Sequence, residues 1–314
     1  MNFRKPRFWD YTKPTFLSLI LLPVSFLIQI LRLLLITLSS KSKSYRIKTI
    51  CVGNMYLGGT GKTSLCIKIK NILDKNKIKS CFVKKYYPDQ IDEQKLLEQH
   101  GELYKSSKRE YALKEASNSE NQFAIFDDGL QDHSIKYDII FICFNNLNWI
   151  GNGLTIPSGP LRENYKNLKK YNNVFLIGNL ENLEFLKKKI FEINPKINIH
   201  VGEYIPINLK NFNTDERFLA FSGIGNHKTF VSMLKNYKFN IIDEIEFPDH
   251  FKYTKRIIKD IVNRSQKNNC KIITTKKDYF RLDDDSKKNI EFIEVDLKIL
   301  DEEKLKKSIL EFYE

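Results

Sequence analysis

Two stretches of this chain have the residue types and spacing to do chemistry. One is a glycine-rich run closing on Lys-Thr, "GGTGKT" at 58–63, and the other an acidic pair behind four apolar residues, "FAIFDD" at 123–128. Gly58, Gly59, Thr60, Gly61, Lys62, Thr63 and Ser64 lie where a strand-like run, "YRIKTICVG", gives way to an amphipathic helical one, "KTSLCIKIKNILDKN". At such a turn, backbone N–H groups surround a phosphate and the helix dipole favours its charge. Lys62 is then placed to reach the β/γ-phosphates and Thr63 to bind Mg²⁺. Asp127 and Asp128, at the carboxyl end of a buried strand, can hold that ion directly or through water. A surface turn with an accidental lysine and an ordinary acidic strand exit are the bland readings, and each is weakened by the presence of the other stretch. The pattern departs from G-x-x-x-x-G-K-S/T at its first glycine, where Tyr56 stands.

A nucleoside triphosphate with Mg²⁺ leaves two functional classes open, a switch GTPase and a kinase that phosphorylates a small or lipid molecule. Thr275-Lys276-Lys277-Asp278 ends an apolar strand and looks like the guanine-reading N/T-K-x-D motif. The D-x-x-G of a switch is missing, because Asp127 and Asp128 run straight into Gly129 and Leu130.

The elements that must position these groups follow from hydrophobic periodicity. Strand-like runs at 46–53, 80–84, 123–127, 138–144 and 173–177 alternate with helical ones, and a second set follows near 217–222, 241–247, 271–275 and 291–297. This predicts an α/β chain: a P-loop NTPase-like, mostly parallel sheet with helices on both faces, and a second, smaller α/β domain. Residues 1–40 form an N-terminal membrane-associated helix, 41–205 a phosphate-loop kinase core and 206–314 a domain that closes the active site, the boundary falling somewhere in 195–215.

A length of 314 residues allows two ordinary domains, and a net charge of +14 suits an acidic or phosphorylated partner. The lysines are dispersed and no nucleic-acid module is present in the sequence, so nucleic acid is not an expected partner, nor is an obligate protein partner. Five cysteines without C-x-x-C spacing read as reduced core residues.

Residues 16–38 are apolar over a length that could span a bilayer, which takes about 20 residues. Pro23, Gln29 and Arg32 weaken a crossing, and no signal-peptide cleavage site follows. Ser18, Ser25, Gln29 and Arg32 fall on one narrow face at about 100° per residue. Basic residues flank both ends. The favoured placement is a helix lying in the cytoplasmic leaflet, against a spanning helix or one packing its apolar side on the protein itself.

"VGN…GGTGKT", "FDDGLQ", "GNGLTIPSGPLRE", "LAFSGIGN", "FPDHFKYT" and "TTKKD" occur in one order between about residues 7 and 282, after an N-terminal Phe-Trp. Together they resemble the tetraacyldisaccharide 4′-kinase family, the lipid A 4′-kinases, whose phosphate loop also lacks the first glycine. The resemblance implies ATP-dependent phosphorylation of the 4′-hydroxyl of a tetraacylated glucosamine disaccharide 1-phosphate. It also implies action at the cytoplasmic face of the inner membrane on a lipid A precursor.

By that resemblance Lys62 and Thr63 serve the nucleotide and Mg²⁺, and Asp127 and Asp128 the metal and the reacting centre. Asp92 of "QIDEQ" is similar in position to the aspartate of a family G-D-E motif, with Glu93 beside it, although Gln90 and Ile91 replace the glycine context. An acidic first turn of a solvated helix is the alternative reading of this pair. His250 of "PDHF" matches a family D-H motif, with Asp249 beside it and Phe251 after it. Asp92, His250, Asp128 and Lys62 are thus the catalytic candidates. Arg162 of "GPLRE" offers a substrate or nucleotide contact, or an ion pair with Glu163. Where the family tends to have Ser-Arg-Gly-Tyr-Gly, this chain has Lys84-Lys85-Tyr86-Tyr87-Pro88, so Lys84 or Lys85 would supply a point charge in place of arginine.

Overall fold

The computed structural model describes residues 5–38, 43–88, 91–178 and 181–313, the side chains of Leu38 and Asp92 excepted. The chain divides into two compact units, one of Pro6–Ile177, Asn182–Gly202 and Ile299–Glu314, the other built mainly from Glu203–Lys298.

The first unit carries β1 (Lys48–Gly53), β2 (Ser80–Lys85), β3 (Leu103–Ser106), β4 (Phe123–Asp127), β5 (Ile139–Asn145), β6 (Asn173–Ile177) and the first five residues of β7 (Asn198–Pro206). Their order in the sheet is β7-β6-β5-β1-β4-β2-β3. Every strand pairs in parallel with its neighbour there. β1, β4, β5 and β6 are near-continuous apolar runs because both faces of the sheet are covered. The chain leaves β1 for strands on its β4 side and later returns to β5 on the other. The carboxyl ends flanking β1 are therefore a topological switch point, where open α/β sheets hold ligands. Register puts Val52 opposite Asp127, so the acidic pair ends beside the strand that feeds the phosphate loop.

Ahead of β1 lie α1 (Phe16–Ile20) and α2 (Leu22–Leu38). The helix expected over 16–38 is broken at Leu21. Pro23 has no N–H to donate to the Leu19 carbonyl, and its ring crowds that position. The helices that follow among the described residues of this unit include α3 (Lys62–Lys75), α4 (Ile91–Glu98), α5 (Arg109–Ser117) and α6 (Leu183–Ile193), with a last one over Glu302–Leu310. α3 buries Leu65, Cys66, Ile69, Ile72 and Leu73 against β1, β2 and β4. Cys51, Cys66, Cys81 and Cys143 are buried free thiols, and burial pushes Cys81 up to about 12.

The second unit holds β8 (Arg217–Ser222), β9 (Asn240–Glu246), β10 (Lys271–Thr275) and β11 (Glu291–Ile293) in a parallel sheet ordered β11-β10-β8-β9. Helices α7 (His227–Asn236) and α8 (Lys255–Lys267) accompany it. One core cluster gathers Phe218, Phe230, Leu234 and Phe239, another Leu219, Phe221, Ile258 and Ile261. The run expected as one strand over 291–297 is two, and the later of them, β12 (Val295–Ile299), edges the larger sheet next to β7. β3 and β7 are absent from the sequence reading. β3 is four residues long and only partly buried, and β7 occupies the stretch whose Pro195 and Pro206 suggested a linker.

Candidate functional site

Gly61 caps α3 in the left-handed region at φ 75°, and Gly58 sits at φ 140°, conformations that side-chain-bearing residues rarely adopt. These turns bring the loop onto the N-terminus of α3, whose first residues are Lys62 and Thr63. The loop is held from inside by Asn54, whose Nδ2 donates to the carbonyls of Tyr56 and Gly58 and to Thr60 Oγ1. Tyr56, in place of the first loop glycine, is turned out of the cradle. Its hydroxyl donates to Asp10, and its ring is 2% exposed. Leu57 N–H donates to the Pro160 carbonyl and Arg162 N–H to the Met55 carbonyl, so the loop's first half leans on "GPLRE".

The acidic pair splits. Thr63 Oγ1 donates to Asp127 Oδ2 at 3.1 Å, and the ammonium of Lys84 donates to the same oxygen at 2.6 Å. Lys84 also donates to Glu93 Oε2 at 2.8 Å. Burial pulls the Lys84 pKa down, but Asp127 and Glu93 outweigh it and hold the ammonium above the ordinary lysine value. Asp128, at φ 61°, turns the other way and accepts from Arg162 Nη1 at 2.8 Å, with Lys62 Nζ 3.9 Å off. Burial would raise its pKa. Lys62, Arg162 and Arg109 outweigh that and hold the carboxyl well below the usual carboxylate range. Arg109 donates to the Asp128 carbonyl and pairs with Asp132, while Gln131 accepts from Arg162 and donates to the Asn54 carbonyl. Lys62, Thr63, Asp127, Asp128 and Arg162 are thus brought into one charged cluster at the carboxyl end of the sheet.

The N-terminal arm is tied to the same cluster by its polar stripe. Asn152 Nδ2 donates to Ser18 Oγ, Ser158 N–H donates to Ser25 Oγ, and Arg32 Nη1 donates to the Arg162 carbonyl at 2.6 Å. Ser18 and Ser25 are buried, whereas Phe16, Leu17, Phe26, Leu27, Leu31, Leu33, Leu34 and Leu35 are exposed. The polar side faces the protein and the apolar side faces out, opposite to a helix covering its own core. No helix among the described residues is long and apolar enough to cross a membrane.

A family model described as tetraacyldisaccharide-1-P 4′-kinase matches residues 17–314. A tetraacyldisaccharide 4′-kinase of Pelagibacter ubique (strain HTCC1062) is 54% identical, over 100% of this chain and 99% of its own. The chain belongs to the tetraacyldisaccharide 4′-kinase family. A Rickettsia canadensis (strain McKiel) member is 31% identical over 94% of this chain and 93% of its own. A crystal structure of LpxK from Aquifex aeolicus in complex with ATP shares the fold at TM-score 0.67 and 22% identity, covering 95% of this chain and 100% of that one.

For a 4′-kinase of this family, Mg²⁺ is the metal to test against the site. The oxygens of Thr63, Asp127 and Asp128 suit a hard cation, and Asp127 Oδ1 is buried without a hydrogen-bond partner among the described residues. No group of three His, Cys, Asp or Glu side chains among the described residues could hold a metal alone.

Two kinase candidates remain, Asp92 and His250. Asp92 stands in the first turn of α4, its side chain outside the described residues. His250 belongs to the second unit, in the left-handed region at φ 57°. Its N–H bonds Asp249 Oδ1 and the Gly223 carbonyl, and Arg281 Nη2 lies 3.3 Å from its Nδ1. An arginine can only donate, so Nδ1 accepts and the neutral ring carries its proton on Nε2. Asp278 of the guanine-like motif is fully buried, accepting from Tyr253, Thr275 and Arg281, so its carboxylate is engaged within the fold and not presented at the surface to a base. The sequence reading missed Arg109, which sits in "SSKREYALKEA" without a motif. It named Asn54 only within "VGN" and left the partners of Lys84 unassigned.

Proposed function

We propose that the chain phosphorylates the 4′-hydroxyl of a tetraacylated glucosamine disaccharide 1-phosphate with ATP, and does so at the cytoplasmic face of the inner membrane. The observation that carries the reading is the convergence of Lys62, Thr63 and both carboxylates at the mouth of the phosphate loop. Lys62 binds the β/γ-phosphates, with Gly58, Gly59, Thr60, Gly61 and Ser64 supplying the surrounding loop. Thr63, Asp127 and Asp128 hold Mg²⁺, which neutralises phosphate charge when bound. Asp128 also fixes Lys62 and Arg162 beside the transferring group.

In the reaction the sugar oxygen forms a bond to the γ-phosphorus as the bridging bond to the β-phosphate breaks, and ADP leaves with that electron pair. The hydroxyl proton goes to a carboxylate, a role we assign to Asp92. The outward apolar face of the arm supports membrane docking, where buried side chains add to the attraction of flanking cations for anionic lipid. An assay of label transfer from ATP to the disaccharide lipid tests the reading, and Lys62→Ala must abolish most of it. Undiminished transfer by the folded variant would refute the phosphate-loop assignment.

A further inference from the structure

Lys84 is 2% exposed at the end of β2, and an ammonium so buried must be paired to be tolerated. Its partners are Asp127, itself 1% exposed, and Glu93. The ammonium and the Thr63 hydroxyl both donate to Asp127 Oδ2, which leaves Oδ1 the buried oxygen without a partner among the described residues. Two carboxylates and one ammonium leave this group with a single net negative charge. Without Lys84 the same pocket would hold two anionic groups and would attract a divalent ion more strongly.

We infer that Lys84 is a resident cation of the metal-binding carboxylate, fixing Asp127 in place before a metal arrives and setting how tightly a divalent ion binds there. The inference rests on the assignment of Asp127 to the metal. Lys84 is a positioning residue, acting through Asp127. Glu93 shares the ammonium and so limits its hold on Asp127.

Titration of the full chain with Mn²⁺ by electron paramagnetic resonance and with Mg²⁺ by calorimetry, both without nucleotide, tests this. Lys84→Met keeps the length of the side chain and removes the charge, so both ions should bind about tenfold or more tightly. Its melting temperature should fall in EDTA and rise further on adding Mg²⁺ than that of the unaltered protein. Glu93→Gln should shift affinity the other way, weakening both ions severalfold. Unchanged or weaker binding by folded Lys84→Met overturns the inference. If that variant does not fold, Glu93→Gln decides: weaker binding supports the inference, and unchanged or tighter binding overturns it. Asp127→Asn separates the two assignments. If it leaves metal affinity intact, the assignment of Asp127 fails and the role of Lys84 with it. If it abolishes binding while the Lys84 result is negative, the role of Lys84 alone fails.

Discussion

Thr63 and Asp127, 64 positions apart in sequence, meet through a 3.1 Å hydrogen bond from the threonine hydroxyl to Oδ2. The contact joins the first turn of α3 to the last residue of β4 and closes the pair that the account gives to Mg²⁺. Thr63→Val keeps the shape and removes the hydroxyl. The expected result is a loss of about 10²-fold in turnover, the scale of one electrostatic group at a phosphoryl site, with weakened Mg²⁺ binding. Steady-state kinetics at varied Mg²⁺ checks it, and added metal should recover part of the loss.

Asp92→Asn retains size and most hydrogen bonding but cannot accept the hydroxyl proton. It should lower kcat by about 10²–10⁴-fold while nucleotide affinity barely changes. The competing role, a favourable charge at the start of α4, costs at most about 1 kcal/mol of stability and leaves kcat intact. Measuring kcat, nucleotide Kd and melting temperature on the one variant distinguishes them.

Much of this site is legible in the sequence, and the limits are physical. GGTGKT and FDDG are local patterns, because a phosphate loop and the carboxyl end of a strand are made by adjacent residues. The pairing of Lys84 with Asp127 is made by register between β2 and β4, which no local pattern encodes. Arg109 reaches Asp128 from α5 for the same reason. The polar stripe of the arm shows in its periodicity, but periodicity does not say which side the protein covers. β3 is only four residues long, and β7 lies between Pro195 and its own last residue, Pro206, so their runs do not stand out. TKKD reads as a guanine motif until Tyr253 and Arg281 are seen to occupy its aspartate.

The arm should bind membranes through its outward face. Leu27→Glu, Leu31→Glu and Leu34→Glu, introduced together, replace exposed side chains and leave the contacts of Ser25 and Arg32 untouched. Each lost apolar side chain is worth about 1.5–3 kcal/mol when fully buried, so vesicle partitioning should fall on the order of a hundredfold or more. Nucleotide affinity should stay within about twofold, because no residue of the loop is altered. Vesicle sedimentation with and without anionic lipid measures the first effect.

His200 provides a pH-dependent test of the core. It is 2% exposed, with its ring edge-on to Phe141, and burial, with a contribution from Lys304, lowers its pKa from 6.5 to about 4. The neutral ring is favoured in the fold, so its contribution is full above about pH 6.5 and is lost as pH falls toward 4. The loss amounts to about 3 kcal/mol. Melting temperature should therefore drop across that window, and His200→Asn should flatten the drop.

The most direct test of the central claim is the site and donor of phosphate transfer. The full chain, given the tetraacylated disaccharide 1-phosphate in mixed micelles with Mg²⁺ and terminally labelled ATP, should yield one labelled phosphate per disaccharide. Nuclear magnetic resonance should locate it on the 4′-oxygen. GTP should serve far less well, and Lys62→Ala should reduce the rate by about 10²–10³-fold. Label at another position, faster transfer from GTP, or transfer that survives Lys62→Ala would contradict the account.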